Sequence, residues 1–452
     1  MKKSNFNFSK ILFLLISLST LYILIYNILH FNPILGYDAE AHYNYVDYLS
    51  RYLPYEFRLP SSAETREFFN PPLGYLIPSI AQIFCRNIIV SSNFLLDCQP
   101  VYGKATQIFQ SILYLLTIFI NLYTLKLFNK SRSILNVSYL IFVSLLTVNY
   151  RTISMIRGEP YILFFLSFFI LLIYKADNRD YDFNFKLIFL TGLVIGCIAL
   201  SRQWGFFLFL PLVILLFQFQ SKLKYLIFWS SSALLGFLIS SWFYFGLYQK
   251  YGSFTAFNMQ SSDFSLSNQA HTFYFPNLSQ LQYLFSKPIR PHLDNQFFSI
   301  IYSDLWGDYW GYFIFTSRFL DIGRNQPNIG DYLARVNLIS IVTTIVLVSF
   351  CYLTYRNYKS NFIIKYINLA IIISIVGYFL FTIIYPTSTG DTIKATYIIQ
   401  VFHLMAFIGS IHLNDLKKIS NKTYNIILLT LVMIYFHNFQ TYLSHYPFNF
   451  LP

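Results

Sequence analysis

Three ionisable side chains lie within five residues of one another near the start of the chain. Asp38, Glu40 and His42 occur in the segment GYDAEAHYNYVDYL, residues 36–49, directly after a long apolar run. Residues 39–52 contain neither proline nor glycine, so we expect a helix there, with Asp38 and His42 on one face. A carboxylate beside an imidazole could act as a general base or share a metal ion, and an Asp directly before a helix could also cap it.

The composition around this cluster is that of an integral membrane protein. Of the 452 residues, 56% are hydrophobic and only 11% are charged, whereas soluble proteins carry about 25% charged residues. Long continuous apolar runs recur along the chain, which favours an all-α, polytopic membrane fold over a β-barrel. The net charge of +13 comes from Lys and Arg in short connections, where such residues hold loops on the cytoplasmic side, and we expect no nucleic-acid partner.

About eleven to twelve transmembrane helices follow from these runs. Segment 72–90 is the uncertain one, because it is short and contains Pro78, Gln82 and Arg86. If it does not cross, most basic clusters fall on the side of Lys2 and Lys3, as the positive-inside rule requires. The other runs are 10–30, which we expect to be an uncleaved first span, 105–128, 134–150, 159–174, 186–200, 203–219, 225–247, 336–356, 363–385, 393–412 and 424–440.

That topology divides the chain into three parts. An N-terminal transmembrane catalytic module, 1–247, contains a helical first outer loop, 31–71. A large extracytoplasmic loop, 248–335, follows, and residues 336–452 form the C-terminal transmembrane helices. Two of the four cysteines, Cys85 and Cys98, flank a short polar turn and could pair if that turn faces an oxidising compartment.

The first outer loop ends in a Pro-Pro pair that carries a family resemblance. The segment FFNPPLGYLIPS, residues 68–79, begins thirty residues after Asp38. An acid after the first span, a helix, and then a PPL(Y)Y-like segment resemble the integral-membrane glycosyltransferases of the C-type superfamily. The nearest resemblance is to lipid-carrier-dependent transferases related to protein mannosyltransferases and aminoarabinose transferases. The matching residues here are Asp38, Pro71, Pro72, Leu73 and Tyr75, with Gly74 where an aromatic residue is common.

Two later stretches resemble further motifs of that superfamily. NYRTISMIRGEPYILFF provides Arg151 and a second acid, Glu159, although Asp is commoner at that place. DTIKATY provides Lys394 and Tyr397 at the entrance to a late span, with Thr396 replacing the usual arginine.

The resemblance implies an inverting transfer of a sugar from a polyisoprenyl-phosphate carrier to an acceptor. We expect the active site on the extracytoplasmic face of a bacterial inner membrane, where nucleotide sugars are not made. The expected partners are the lipid-linked donor, membrane lipids and a glycan, lipid or protein acceptor. No cofactor is expected, and a divalent metal is a secondary option.

Each candidate residue then has an expected role. Asp38 is the candidate base, with a pKa raised at the low-dielectric boundary, and Glu159 assists it. His42 would bind the acid or the phosphate, and an arginine or lysine would bind the departing phosphate, although cations at span ends also snorkel to the surface. The other substrate-binding candidates are Arg151, Arg157, Arg202, Lys394, Tyr397, Trp306 and Trp310.

Two other functions fit the same architecture. O-antigen polymerases and ligases also have many spans and one large outer loop, but they generally rely on arginines in outer loops. A transporter or flippase would place ionisable residues in mid-span. The spans here are almost free of charge, which favours glycosyl transfer.

Overall fold

The computed structural model describes residues 8–33, 35–88, 94–130, 134–217, 222–290, 292–314 and 327–444. These residues form an all-α fold, as the sequence predicts. Seven helices are long and apolar enough to cross a membrane. The helices are α1 Phe8–His30, α2 Ala39–Tyr52, α3 Leu73–Ile88, α4 Phe94–Phe128, α5 Val137–Leu145, α6 Thr147–Ser154, α7 Glu159–Asp177, α8 Phe185–Ser201, α9 Leu210–Leu216, α10 Lys222–Tyr251, α11 His271–Tyr274, α12 Leu278–Leu284, α13 Phe297–Trp306, α14 Pro327–Asn357, α15 Phe362–Ile384, α16 Ile399–Ile419 and α17 Asn421–His437.

Each of the eleven predicted runs coincides with helix in the described residues, but three of them are broken. The run 393–412 begins as a 3-10 turn, Ala395–Ile398, before α16. The run 134–150 divides at Leu146 into α5 and α6. The run 203–219 begins as a 3-10 turn, Gln203–Leu208, before α9. These breaks matter for function because two candidate arginines lie at them. Arg151 is in α6, and Arg202 directly precedes the 3-10 turn after α8.

Helix α16 lies at the centre of the bundle. With the 3-10 turn Ala395–Ile398 that precedes it, 89% of its most apolar window is buried. By contrast, α1 leaves large apolar side chains such as Leu14 and Leu18 exposed and buries Ile16 and Ile23. This division is expected when peripheral helices face lipid and a central helix faces other helices.

The described part of the segment 72–90 contains α3, which packs between α2 and α4. Its 16 residues span about 24 Å, less than the hydrocarbon layer of about 30 Å. A disulfide between Cys85 and Cys98 joins α3 to α4. The length favours the topology in which α3 does not cross.

In the described residues, α10 continues into the predicted large loop to Tyr251 and α14 begins within it at Pro327. Between them lie α11 to α13 and a 3-10 turn, Leu266–Asn268. Asn277 and Gln280 form a capping box at the start of α12. Helix α13 packs against α6 and the turn before α16. The loop therefore covers the end of the bundle at which Asp38 lies. The three-part division of the chain stays a prediction.

Candidate active site

Asp38 lies between α1 and α2 with its side chain directed away from the helix that follows. Its φ of 62° is in the left-handed region, and its side chain makes no capping hydrogen bond. Its carboxylate instead accepts from Lys394 Nζ at 3.0 Å and from Arg66 Nη2 at 2.9 Å. Asp tolerates this backbone conformation better than most residues, and such conformations often occur at functional sites. Capping therefore does not explain the residue.

Lys394 is positioned by the turn that leads into α16. Its backbone N–H donates to the Tyr378 hydroxyl at 2.7 Å, which fixes the start of this turn. Its ammonium lies 4.9 Å from the ring centroid of Tyr37 and 5.3 Å from that of Tyr397. A lysine that is 7% exposed stays charged here because a carboxylate and two aromatic faces replace water.

These groups line a cavity of about 260 Å³ that also contains residues the sequence analysis missed. Arg290 faces the ring of Trp310 at 5.1 Å and pairs with Asp391 at 2.9 Å. Arg66 and Glu67 enter from the loop that leads to the Pro-Pro pair. The charged and aromatic lining residues are Tyr37, Asp38, Arg66, Glu67, Phe69, Phe257, Arg290, Trp310, Tyr312, Asp391, Lys394 and Tyr397.

Behind the cavity, Glu159 and Arg202 form a buried pair. Arg202 Nε donates to Glu159 Oε1 at 3.0 Å, and another of its nitrogens donates to Asn70 Oδ1. Asn70 in turn donates to the Tyr75 hydroxyl at 3.1 Å and to Glu67. Glu159 does not line the cavity, so its contacts are those of a counter-ion for Arg202. Its catalytic role stays a prediction.

The Asn-Pro-Pro-Leu-Gly-Tyr segment thus connects the first loop to these charges. A Cβ on Gly74 would lie 3.0 Å from the Gly158 Cα, which is the residue before α7. This close approach explains why glycine replaces the aromatic residue that is common in the resembled motif.

His42 is buried and joins the same network. Its Nδ1 lies 2.7 Å from the Tyr75 hydroxyl, and its Nε2 has no hydrogen-bond partner within the described part of the chain. Burial lowers the pKa of His42 well below its usual value, and Arg157 and Arg202 lower it further. The imidazole is therefore neutral and accepts or donates without adding charge.

Arg157 is close to the cavity, whereas Arg151 and Trp306 are directed elsewhere. Arg157 Nη2 donates to the Tyr37 carbonyl at 2.6 Å, and its guanidinium covers the Tyr37 ring at 4.7 Å. Trp306 is buried and donates to Thr344 at 3.0 Å, beside an apolar groove away from Asp38.

Arg151 is fully occupied by protein partners. Its Nε donates to the Tyr37 hydroxyl at 3.1 Å, its Nη1 to the Gly307 carbonyl at 2.9 Å, and its Nη2 to the Asp304 carboxylate at 2.7 Å. It also donates to the Asp304 carbonyl and lies near Asp308. These contacts connect α6 to α13 and use the guanidinium for packing between helices. The substrate-binding role of Arg151 stays a prediction.

The prediction that the pKa of Asp38 is raised is wrong, because the structure places cations beside its carboxylate. Burial does raise the pKa of its carboxyl, but Lys394 and Arg157 outweigh burial and lower the pKa overall. Glu67, which is buried beside it, has a raised pKa because of burial and the negative charge of Asp38. Two neighbouring carboxyls with pKa values displaced in opposite directions are typical of sites that move protons.

The metal option is not tested by the structure. Within the described residues, no three His, Cys, Asp or Glu side chains form a group that could hold a metal ion. A divalent metal stays a secondary prediction.

The comparisons with known proteins rest on structure alone. No protein-family model and no curated protein sequence matches this chain. The crystal structure of ArnT from Cupriavidus metallidurans bound to undecaprenyl phosphate superimposes with a TM-score of 0.51 at 10% identity, over 93% of this chain. The chain has the C-type glycosyltransferase fold. It is an integral membrane protein.

A second solved structure that is similar to this chain is the apo oligosaccharyltransferase of Archaeoglobus fulgidus. It has a TM-score of 0.47 at 12% identity and covers 98% of this chain. The present chain spans 63% of the length of ArnT and 57% of the length of the oligosaccharyltransferase.

Proposed function

We propose that this C-type chain is a glycosyltransferase that moves a sugar from a polyisoprenyl-phosphate carrier to an acceptor hydroxyl. One observation carries the proposal. Where the first apolar helix ends, the Asp38 carboxylate shares a cavity with the cations of Lys394, Arg66 and Arg290. ArnT, which has the same fold, is bound to undecaprenyl phosphate, and this supports a carrier of that type.

The cavity supplies the groups that an inverting transfer needs. Asp38 would remove the proton from the acceptor hydroxyl while the oxygen of that hydroxyl bonds to the anomeric carbon of the sugar. The bond from that carbon to the phosphate oxygen breaks on the opposite face, and the electron pair leaves with the polyprenyl phosphate. Lys394 and Arg66 would stabilise that phosphate.

Donor binding and base activation are coupled in this scheme. In the resting site the two cations are engaged by Asp38. The donor phosphate would replace the carboxylate on them, which frees Asp38 and raises its pKa towards that of a useful base. Trp310 and Tyr397 line the same cavity and would offer aromatic faces to the sugar ring.

The sidedness of the active site is also part of the proposal. The disulfide between Cys85 and Cys98 is typical of an oxidising compartment, and it joins helices at the end of the bundle where Asp38 lies. We infer an extracytoplasmic active site in a bacterial inner membrane.

The test is turnover by the purified protein in liposomes. Undecaprenyl-phosphate hexose, pentose and aminosugar donors are supplied with an extract of envelope lipids, glycans and proteins. We expect one donor to release undecaprenyl phosphate as its sugar appears on an acceptor, and nucleotide sugars to be inactive. Movement of an intact donor across the bilayer without cleavage would contradict the proposal and favour a flippase.

A further inference from the structure

A second charged cavity lies at the opposite end of the bundle from Asp38. It measures about 400 Å³ and is bounded by the first turn of α1, the last turn of α4, the start of α5, the end of α16 and the start of α17. Asp38 follows the other end of α1, whose 23 residues extend over about 34 Å. The two cavities are therefore separate sites.

Positive charge dominates this second cavity. Four lysines line it, namely Lys10, Lys126, Lys417 and Lys418. Lys418 pairs with Asp415 at 2.8 Å. The other three form no ion pair with any described residue; Lys417 instead contacts Ser9 at 3.4 Å and the Tyr424 ring at 5.1 Å. Ammonium groups that surround one cavity repel one another, and a bound anion would offset that repulsion.

Neutral donors complete the lining. Asn414 lines the cavity and accepts from the Ser138 hydroxyl at 2.8 Å through its Oδ1, so its amide N–H groups are not used in that contact. Asn129 and Asn136 also line it. The positive-inside rule accounts for lysines on this side of the membrane, but it does not require them to converge on a polar cavity.

The surroundings of the cavity indicate what kind of anion would enter. Two of the five helices that bound it, α1 and α17, expose apolar side chains over their next turns, including Leu14, Leu18 and Ile426. Acyl chains could lie along these faces while a phosphate occupies the cavity. Basic pockets between membrane helices on the cytoplasmic side are recurrent sites for anionic headgroups.

We propose that this cavity binds the phosphate headgroup of an anionic phospholipid from the adjacent leaflet. The ligand chemistry is a phosphate-bearing anion, and the lipid is the source that the exposed apolar faces favour. The site is independent of the transfer reaction, because none of its residues lies near Asp38.

Native mass spectrometry of the delipidated protein tests this proposal. Phosphatidylglycerol, cardiolipin, phosphatidylcholine and inorganic pyrophosphate are titrated separately. The Lys126→Gln/Lys417→Gln variant is compared with Lys222→Gln/Lys359→Gln, which removes the same charge from exposed lysines at the same end but outside the cavity.

We expect the wild-type protein to retain phosphatidylglycerol or cardiolipin and to bind phosphatidylcholine much more weakly. The cavity variant should lose about tenfold or more in affinity, and the control should match the wild type. Equal losses in both variants would show that the lysines act only as a diffuse positive surface and would overturn the proposal. Pyrophosphate binding as tightly as the lipids would overturn the lipid as the source.

The sugar-transfer assay reports separately on Asp38. A failure of lipid binding here would leave that assay unaffected.

Discussion

Asp38 shares its carboxylate between two cations, one from the adjoining loop and one that is 356 residues further along the chain. This arrangement keeps the carboxylate ionised but makes it a weak base, because Lys394 and Arg157 lower its pKa despite burial. In the proposed reaction, activation would therefore come from the substrate, because the donor phosphate carries the charge that would release the cations.

The pH dependence of transfer follows from this coupling. The value of kcat/KM reports the free enzyme, in which the lowered pKa keeps Asp38 ionised below its ordinary value of about 3.9. The value of kcat reports the complex, in which a phosphate has replaced the carboxylate on Lys394. We expect kcat/KM to stay level down to about pH 5, while kcat begins to fall at a higher pH. Acid limbs that coincide in the two profiles would contradict the exchange of ion pairs.

Single residues could be selected from the sequence, but their partners could not. Asp38 was selected from a cluster of ionisable residues after the first apolar run, and Lys394 from the resemblance of DTIKATY to a family motif. Both residues line the cavity. The sequence around Arg66 and Glu67 is typical of a solvated loop. Only the fold brings these two residues to the cavity. Trp306 and Trp310 were predicted together as members of the aromatic cluster WGDYWGYF, residues 306–313. Trp306 ends α13 and borders the apolar groove, whereas Trp310 lines the cavity with Asp38.

At the scale of elements, the junction between α7 and α8 determines where Arg202 lies. Gly158 directly precedes α7, and a Cβ there would lie 2.3 Å from the Ser201 carbonyl oxygen and 2.9 Å from the Arg202 Cγ. Backbone cannot yield as a flexible side-chain end can. The position therefore requires glycine for close packing.

Gly158→Ala should separate α7 from α8 and displace Arg202 from Glu159. We expect a lower melting temperature and weaker transfer, because overpacking costs about 1–3 kcal/mol. The matched control is Gly246→Ala in α10, where an added Cβ meets no atom within 4 Å and should leave both properties near wild type. Thermal unfolding in detergent and the liposome assay measure the two effects. Equal behaviour of the two variants would contradict the junction's role.

The breaks in the elements were harder to predict than the elements. Continuous apolar runs predicted helices correctly, since hydropathy reports burial in lipid or protein. The break at Leu146, however, falls inside the predicted run 134–150, which contains no proline or glycine to mark it. What it achieves is to present Arg151 to Asp304 in α13, a long-range contact to which local pattern gives no access.

At the scale of the whole molecule, the cavity with Asp38 lies at one end of the bundle and the lysine-lined cavity lies at the other. The disulfide and the charge distribution agree on the orientation of the chain. Labelling of intact cells tests this orientation.

An impermeant thiol reagent applied to intact cells should label Glu56→Cys, in the exposed first loop, and not Lys359→Cys, between α14 and α15. Lysis should make the second site reactive. Cys85 and Cys98 should react only after reduction, because they form a disulfide. The reverse labelling pattern would place Asp38 in the cytosol and contradict the use of a lipid-linked donor on the outer face.

The central claim is that the Asp38 carboxylate acts as the base in sugar transfer. One comparison of rates tests this claim most directly. Asp38→Asn and Glu40→Gln each remove one carboxyl charge two residues apart, but Glu40 is exposed outside the cavity. With the active donor in liposomes, we expect Asp38→Asn to lower kcat about 10²- to 10⁴-fold and Glu40→Gln to change it by about twofold at most. Transfer by Asp38→Asn at the wild-type rate would contradict the account.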